Sequence, residues 1–247
     1  MLIDIHCHLD DPQFKDLDGV IERAKKAGLK IILTNGINHK TNKRSLEIAE
    51  RYALVKAALG IYPTEAIKLD EIQLNESLDF IKKNKNKIIA VGEIGLDYLR
   101  GNNKEKQKKI FIELLAFAEK IKKPIIVHSR KAEDDVINIL ESSGIKKVIL
   151  HCFSGGFELV KKAAGLGYYF SIPANIVFSQ HFQKMAEEVT INQLFAETDA
   201  PYLSPFKGKR NEPAFVAEAV KKIAEIKGFD KTEVANNIFL NYQKVFK

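Results

Sequence analysis

Short apolar runs alternate with longer amphipathic stretches along the whole chain. The short runs are typical of buried strands, whereas the stretches between them have the length and periodicity of helices. We expect strands over 2–6, 30–34, 54–59, 88–92, 124–127, 147–150, 168–172 and 194–197. We expect helices near 17–27, 40–52, 70–84, 103–121, 132–142, 157–165, 178–188, 213–227 and 230–245. Such alternation predicts parallel strands joined by right-handed crossovers.

The number of predicted strands favours a closed barrel over an open doubly wound sheet. An open sheet also alternates, but no glycine-rich dinucleotide fingerprint follows the first strand. A length of 247 residues is typical of one α/β barrel, and no internal repeat or low-complexity linker divides the chain. We therefore predict an α/β protein whose single domain, 1–247, is a (β/α)8 TIM-type barrel that ends in a helix pair.

Composition limits the setting in which the chain works. No apolar run approaches the roughly 20 residues of a membrane-spanning helix, and the N-terminus lacks a signal-peptide pattern. We expect a soluble cytoplasmic protein with no membrane association and no obligate protein partner. The two cysteines, Cys7 and Cys152, are predicted to be small buried groups rather than a disulfide framework. A net charge of +7 favours polyanionic partners.

Residues that can bind metal fall at the ends of the predicted strands. His6 and His8 end the first strand, and side chains alternate along a strand, so the two imidazoles point the same way. The active sites of α/β barrels lie where the carboxyl ends of the strands meet. The remaining candidates at this end are Glu93 after the fourth strand, His128 after the fifth, His151 after the sixth and Asp199 after the eighth.

The six residues together indicate a metal centre. Each one alone could be an ordinary polar residue or a loop cap, but burying four imidazoles and two carboxylates at one barrel mouth is costly without a metal. Six ligands are more than one tetrahedral ion needs, and paired ions lie about 4 Å apart with a bridging carboxylate. We expect Glu93 to bridge two divalent ions, Mg²⁺, Mn²⁺ or Zn²⁺. One ion would lie on His6, His8, Glu93 and Asp199, and the other on Glu93, His128 and His151.

Several long motifs, in conserved order along the chain, resemble the TatD family of metal-dependent deoxyribonucleases, within the amidohydrolase-like hydrolases. They are His-Cys-His-Leu-Asp at 6–10, Gly-Glu-Ile-Gly-Leu-Asp-Tyr at 92–98, His-Ser-Arg at 128–130, His-Cys-Phe-Ser-Gly at 151–155, Glu-Thr-Asp-Ala-Pro-Tyr-Leu at 197–203 and Gly-Lys-Arg-Asn-Glu-Pro at 208–213. The resemblance implies the same six metal ligands. The chain departs from it at Tyr62 and Thr64, where many members have histidines. Tyr62 is therefore expected either to stack on a base or to pack the barrel rim.

Residues near the predicted ligands suggest a mechanism for phosphodiester hydrolysis. A divalent ion lowers the pKa of water and polarises phosphoryl oxygens, so water becomes a nucleophile near neutral pH. We expect Asp199 to orient and deprotonate that water, with Glu93 as the second catalytic residue. The expected phosphate contacts are Arg130, Lys207 and Arg210, although a salt bridge or a helix start would also explain them. Asp10 and Asp97 are expected to orient imidazoles, with loop capping as the alternative.

The preferred function is a TatD-like exonuclease that uses metal-activated water on single-stranded DNA or duplex ends. The alternative is a metal-dependent amide or ester hydrolase, including a D-aminoacyl-tRNA deacylase. Many small-molecule amide hydrolases use a carboxylated lysine as the bridge, whereas this chain has Glu93 there. A nucleic-acid-binding protein with a vestigial site is a further alternative, which the complete ligand set disfavours.

Overall fold

The computed structural model describes residues 1–247 and contains eight parallel strands separated by helices. The strands are β1 Leu2–Cys7, β2 Leu29–Gly36, β3 Val55–Leu59, β4 Ile88–Asp97, β5 Ile125–Arg130, β6 Val148–His151, β7 Tyr169–Pro173 and β8 Leu194–Glu197. The α-helices are α1 Leu17–Lys26, α2 His39–Arg51, α3 Pro63–Ala66, α4 Glu71–Lys83, α5 Lys104–Lys120, α6 Glu133–Ser143, α7 Phe157–Gly165, α8 Gln180–Glu188, α9 Val216–Lys227 and α10 Lys231–Phe246. Short 3₁₀ helices lie at Ala174–Val177, Ile191–Gln193 and Pro213–Phe215.

Each strand pairs with the next, and the ring closes between β1 and the segment after β8. The spatial order is β1 to β8 without interruption. Closure comes from a parallel bridge between Cys7 and Ala200, with backbone hydrogen bonds from His8 N to Ala200 O at 2.8 Å and from Asp199 N to His6 O at 2.9 Å. The predicted (β/α)8 barrel is therefore confirmed, and its closure brings residues 6 and 199 together.

A buried carboxylate reinforces this closure. The side chain of Asp4 accepts hydrogen bonds from Thr198 N at 2.9 Å, from Thr198 Oγ1 at 2.6 Å and from His6 N at 3.3 Å. Burial raises the pKa of Asp4 well above its ordinary value, because removal from water disfavours the charged carboxylate. These hydrogen bonds fix the segment that carries Asp199 against the strand that carries His6.

All eight predicted strands are present, and four of them, β1, β2, β4 and β5, are longer than predicted. β4 continues to Asp97 rather than ending at residue 92, because Gly95, Leu96 and Asp97 stay in register with the following strand. β5 likewise continues to Arg130. Glu93 and His128 consequently lie within strands rather than just beyond them. The short helix α3, which starts at Pro63, was not predicted.

The apolar face of each helix packs against the strands and forms one continuous hydrophobic core with the barrel interior. The predicted C-terminal helix pair is present as α9 and α10. Cys7 is buried and Cys152 is partly exposed, and both are free thiols. None of the helices combines the length and the apolar character that crossing a membrane requires.

Candidate metal centre

The first predicted ligand group comes together at the carboxyl end of the barrel. His6 Nε2 and His8 Nε2 are 3.3 Å apart, and each lies near Glu93 Oε2 and Asp199 Oδ1. Those distances are 3.7 Å from His6 and 3.5 Å from His8 to either carboxylate. A tetrahedral Zn²⁺ with bonds of about 2.0–2.2 Å needs ligand atoms about 3.4 Å apart. The spacing of the two imidazole nitrogens from each other and from each carboxylate oxygen is therefore compatible with a shared ion, and His6, His8 and Asp199 form one group that could hold it.

The other oxygen of Glu93 faces a second group. Glu93 Oε1 lies 3.5 Å from His151 Nε2 and 2.8 Å from His128 Nδ1. The rings of His6 and His151 stack with their centroids 3.7 Å apart, so the two groups are adjacent. The Glu93 side chain is only 3% exposed. Its two oxygens are thus directed at different sets of imidazoles, which is the arrangement of a bridging carboxylate.

Backbone and carboxylate acceptors fix the ring nitrogens of two histidines. His8 Nδ1 lies 2.9 Å from the carbonyl oxygen of Asn35, and His151 Nδ1 lies 3.1 Å from Glu197 Oε1. Both acceptors favour a proton on Nδ1, so the neutral form of each ring has its lone pair on Nε2, directed at the cluster. Metal-binding histidines are typically held in this way. His6 Nδ1 is buried without a hydrogen-bond partner.

Electrostatics at the cluster favour bound positive charge. Burial disfavours the charged form of His8, but Asp199 and Glu93 outweigh it and raise the pKa of His8 to about 10. Burial acts in the same direction on His151, where the carboxylates of Glu197 and Glu93 raise the pKa to about 9. Burial would raise the pKa of Glu93, but the neighbouring imidazoles hold it well below its ordinary value. The carboxylates therefore attract cations to this end of the barrel.

Two glycines allow the backbone to approach the cluster closely. A Cβ on Gly95 would lie 2.0 Å from the carbonyl oxygen of His128, and the φ angle of Gly95 is +145°, where other residues are strained. A Cβ on Gly60 would lie 2.5 Å from the carbonyl oxygen of Glu93. Glycine at these positions lets β3, β4 and β5 lie close enough to place Glu93 and His128 side by side.

Sequence reasoning missed Glu197 as part of the site. Its fully buried side chain contacts His151 Nδ1 and accepts a hydrogen bond from the hydroxyl of Ser171. Glu197 stands two residues before Asp199, so strand alternation and its carboxylate were signals that could have found it. The contact of His8 with Asn35 could not be found from the sequence, because it uses the backbone carbonyl oxygen, which every residue has.

The two aspartates expected to orient imidazoles lie near the cluster but differ in their contacts. Asp97 Oδ2 accepts a hydrogen bond from Tyr62 Oη at 2.6 Å and lies 3.5 Å from His128 Nε2. Asp10 makes no hydrogen bond through its buried Oδ1, and His8 Nδ1 is held by Asn35. Burial raises the pKa of Asp10 to about 6.

The three expected phosphate contacts have different surroundings. Arg130 is half-buried at the end of β5 and Lys207 is exposed, and neither side chain makes an ion pair. Arg210 donates a hydrogen bond to the carbonyl oxygen of Gln13 at 2.5 Å and lies over the ring of Phe14, with its Cζ 4.6 Å from the ring centroid. Of the three, only Arg210 is therefore engaged within the protein.

A closed parallel barrel with clustered imidazoles and carboxylates at its carboxyl end defines a class of protein, the barrel metal-dependent hydrolases. The family model described as TatD related DNase matches residues 3–247. The chain belongs to the TatD family and is a metal-dependent hydrolase that acts on ester bonds.

Individual relatives agree with this assignment. The chain is 38% identical to an uncharacterized metal-dependent hydrolase of Methanocaldococcus jannaschii, over 99% of this chain and 96% of that protein. It is 33% identical to the human deoxyribonuclease TATDN3, over 99% of this chain and 94% of that protein. The crystal structure of a TatD homologue from Escherichia coli superposes with a TM-score of 0.92 at 29% identity, covering 99% of this chain and 97% of that chain.

Proposed function

We propose that the protein is a TatD-type deoxyribonuclease with a binuclear centre of Mg²⁺, Mn²⁺ or Zn²⁺. The observation that carries the proposal is the position of Glu93, whose Oε2 lies 3.5 Å from His8 Nε2 while its Oε1 lies 3.5 Å from His151 Nε2. Divalent ions would supply Lewis-acid activation of the phosphodiester and would lower the pKa of water. One ion would be held by His6, His8, Glu93 and Asp199. The other would be held by Glu93, His128 and His151.

Asp199 is the proposed residue that orients and deprotonates the attacking water. Its side chain is 16% exposed, whereas that of Glu93 is 3% exposed. Because a general base must reach both solvent and substrate, the more accessible carboxylate suits that role. Glu93 would act by fixing the two metal groups relative to each other.

A positively charged pocket at the same end of the barrel supports a polyanionic substrate. Its volume is about 570 Å³, and its lining residues are Thr64, Ile67, Lys68, Leu99, Arg100, Gly101 and Asn102. The pocket is lined by two cations and no carboxylate. Lys68 pairs with Glu65 beside the pocket, whereas the exposed Arg100 side chain makes no ion pair. Cations with free donors position nucleic-acid phosphates. Arg100 thus joins Arg130 and Lys207 as a proposed phosphate contact.

The relatives support deoxyribonuclease activity to different extents. The human relative is named a deoxyribonuclease, whereas the archaeal relative is named only a metal-dependent hydrolase. Hydrolysis of a D-aminoacyl-tRNA ester would use the same ions and the same positively charged end of the barrel. We favour DNA because Arg100, Arg130 and Lys207 make no ion pair and are free to contact the phosphates of one bound strand.

An assay panel with defined metals tests the proposal. Purified protein is loaded with Mg²⁺, Mn²⁺ or Zn²⁺ and incubated with labelled single-stranded DNA, duplex DNA, RNA or a D-aminoacyl-tRNA. We expect mononucleotides to be released from DNA, and we expect EDTA to abolish the release. Deacylation of the tRNA without DNA cleavage under any metal would instead identify an ester hydrolase.

The pocket is tested by a pair of matched variants. Arg100→Gln removes a cation at the mouth, and Lys146→Gln removes an exposed cation on the loop that enters β6 at the opposite end of the barrel. We expect Arg100→Gln to raise KM for DNA and to weaken its dependence on salt, because one phosphate contact is lost. Equal KM values for both variants would exclude the pocket from substrate binding.

A further inference from the structure

The hydroxyl of Tyr62 lies beside a proposed metal ligand. Tyr62 is 8% exposed, and its position at the start of α3 carries the hydroxyl to the end of the barrel. The hydroxyl oxygen lies 2.6 Å from Asp97 Oδ2 and 3.0 Å from His128 Nε2. The three side chains thus form a continuous chain of short contacts that runs away from the cluster.

The direction of these hydrogen bonds follows from their donors. Asp97 Oδ1 accepts the backbone N–H groups of Leu99 at 3.0 Å and Arg100 at 2.7 Å, which fixes the carboxylate in place. An ionised carboxylate only accepts hydrogen bonds. Tyr62 must therefore donate its single proton to Asp97.

Because the hydroxyl proton of Tyr62 is donated to Asp97, the Tyr62 oxygen can only accept a hydrogen bond from His128 Nε2. Nε2 must then carry the ring proton, which leaves a lone pair on Nδ1 of a neutral ring. His128 Nδ1 is buried, lies 2.8 Å from Glu93 Oε1 and has no aligned hydrogen-bond partner. The free nitrogen of His128 therefore points toward the second ligand group.

This orientation is the reverse of that of the other two fixed histidines. His8 and His151 engage Asn35 and Glu197 through Nδ1 and direct Nε2 at the cluster. His128 engages its neighbours through Nε2 and directs Nδ1 inward. Tyr62 makes the only aligned hydrogen bond to this ring, since Asp97 Oδ2 lies 3.5 Å from Nε2 and Glu93 Oε1, 2.8 Å from Nδ1, is not aligned with it.

We propose that Tyr62 and Asp97 are positioning residues that fix His128 with its proton on Nε2 and thereby select Nδ1 as its metal-binding atom. The inference rests on the proposed binuclear centre. It assigns to Tyr62 a hydrogen-bonding role in metal binding, in place of stacking on a base or rim packing. Partners of this kind around a metal-binding histidine typically change metal affinity about 10–100-fold.

Metal titration without substrate tests the proposal. Zn²⁺ is titrated into the metal-free full-length protein by calorimetry, for the wild type and for Tyr62→Phe. We expect two ions on the wild type, and we expect the Kd of one of them to rise by about 10–100-fold in the variant while the other is unchanged. Tyr98→Phe is the control, because Tyr98 makes an equivalent 2.6 Å hydrogen bond to Asp135 outside the cluster.

The outcomes separate this proposal from the proposed function. Two ions bound without any DNA cleavage would contradict only the deoxyribonuclease. Unchanged affinities in Tyr62→Phe would overturn the positioning role alone. A single ion on the wild type would contradict the binuclear centre and, with it, the positioning role.

Asp97→Asn gives a spectroscopic test. An asparagine side chain has only one acceptor oxygen. If that oxygen keeps the backbone N–H groups of Leu99 and Arg100, the amide NH₂ faces Tyr62 and reverses the chain, so that Tyr62 donates to His128 Nε2. In ¹⁵N-histidine spectra of the Zn²⁺-loaded proteins, we expect the ring proton of His128 on Nε2 in the wild type. In Asp97→Asn we expect the ring proton on Nδ1 instead, so that Nδ1 no longer has a lone pair for the metal. A wild-type proton on Nδ1, or identical His128 spectra in both proteins, would overturn the proposal.

Discussion

Asp199 lies where the chain has left β8 and turned back toward β1, with its backbone in the left-handed region at φ 55°. This conformation is uncommon for residues other than glycine and occurs often at functional sites. Hydrogen bonds between Asp199 N and His6 O, and between His8 N and Ala200 O, hold it there. The carboxylate is thereby fixed 3.5 Å from His8 Nε2.

Replacement of Asp199 by asparagine tests its proposed role. The variant keeps the size of the side chain and the backbone hydrogen bonds, so we expect the fold to be retained. Loss of the carboxylate should lower kcat by about 10²–10⁴-fold, the usual contribution of a positioned general base. Circular dichroism and turnover on labelled DNA measure the two effects. Asp134→Asn, at an exposed carboxylate of α6, is the charge-matched control. Wild-type turnover by metal-loaded Asp199→Asn would contradict the role.

Glu197 offers a second test at the residue scale. Its carboxylate holds His151 Nδ1 and the hydroxyl of Ser171. In Glu197→Gln the amide NH₂ faces either His151 Nδ1, which then cannot donate, or Ser171, whose hydroxyl accepts it, and in both cases the bond to a charged carboxylate that orients His151 is lost. We expect metal affinity to fall by about 10–100-fold, measured by calorimetry. Ser171→Ala removes the other contact only, and an equal loss in both variants would show that His151 is not the residue affected.

At the scale of elements, β4 positions the centre. The strand carries Glu93 between its neighbours β3 and β5, and it can do so because glycines stand where those strands come closest. Close packing allows the two oxygens of one carboxylate to face two groups of imidazoles. Any side chain that separates β4 from β5 should therefore affect the metal centre as well as stability.

Gly95→Ala tests the importance of this close approach. The backbone conformation alone should cost about 1–3 kcal/mol, and the new Cβ would overlap the His128 carbonyl oxygen. We expect a lower free energy of unfolding and weaker metal binding. Gly144→Ala also places alanine at positive φ, +72°, but has no atom within 4 Å of the new Cβ, and Gly144 ends α6. The control should lose about 1–2 kcal/mol of stability and keep its metal affinity. Equal metal affinity in both variants would contradict the argument.

The predictability of these elements from sequence follows from the range of the interactions that form them. The strands depend on local apolar patterning, and Gly144 ends α6 in the left-handed conformation, as its position after a helical stretch predicts. The extension of β4 to Asp97 depends on pairing with β5, which the β4 sequence alone does not encode. For the same reason, metal-binding residue types were visible in the sequence, whereas the Asn35 carbonyl and the Tyr62–His128 contact were not.

At the scale of the whole molecule, barrel closure joins parts of the chain that are far apart in sequence. Asp4 and Thr198, 194 positions apart, are joined by two hydrogen bonds. The proposed ligands come from five strands or their ends. A ligand that binds these residues together stabilises only the closed barrel, because the unfolded chain does not bring them into proximity.

Metal should therefore stabilise the fold in proportion to its occupancy. At 100 times its Kd, one ion adds about 2.7 kcal/mol if it binds only the folded state. For a chain of this length that corresponds to a rise in Tm of roughly 5–11 °C. Thermal unfolding of metal-free protein against increasing Zn²⁺ or Mn²⁺ measures the rise, which EDTA should reverse.

Glu93→Gln is the informative variant in this experiment, because Glu93 faces both ligand groups. Loss of the shared carboxylate should weaken both sites and remove most of the metal-dependent increase in Tm. An increase as large as that of the wild type would show that the ions bind elsewhere on the molecule. An increase reduced by only the part due to one ion would show that Glu93 serves a single site, because a bridging ligand must affect the two ions together.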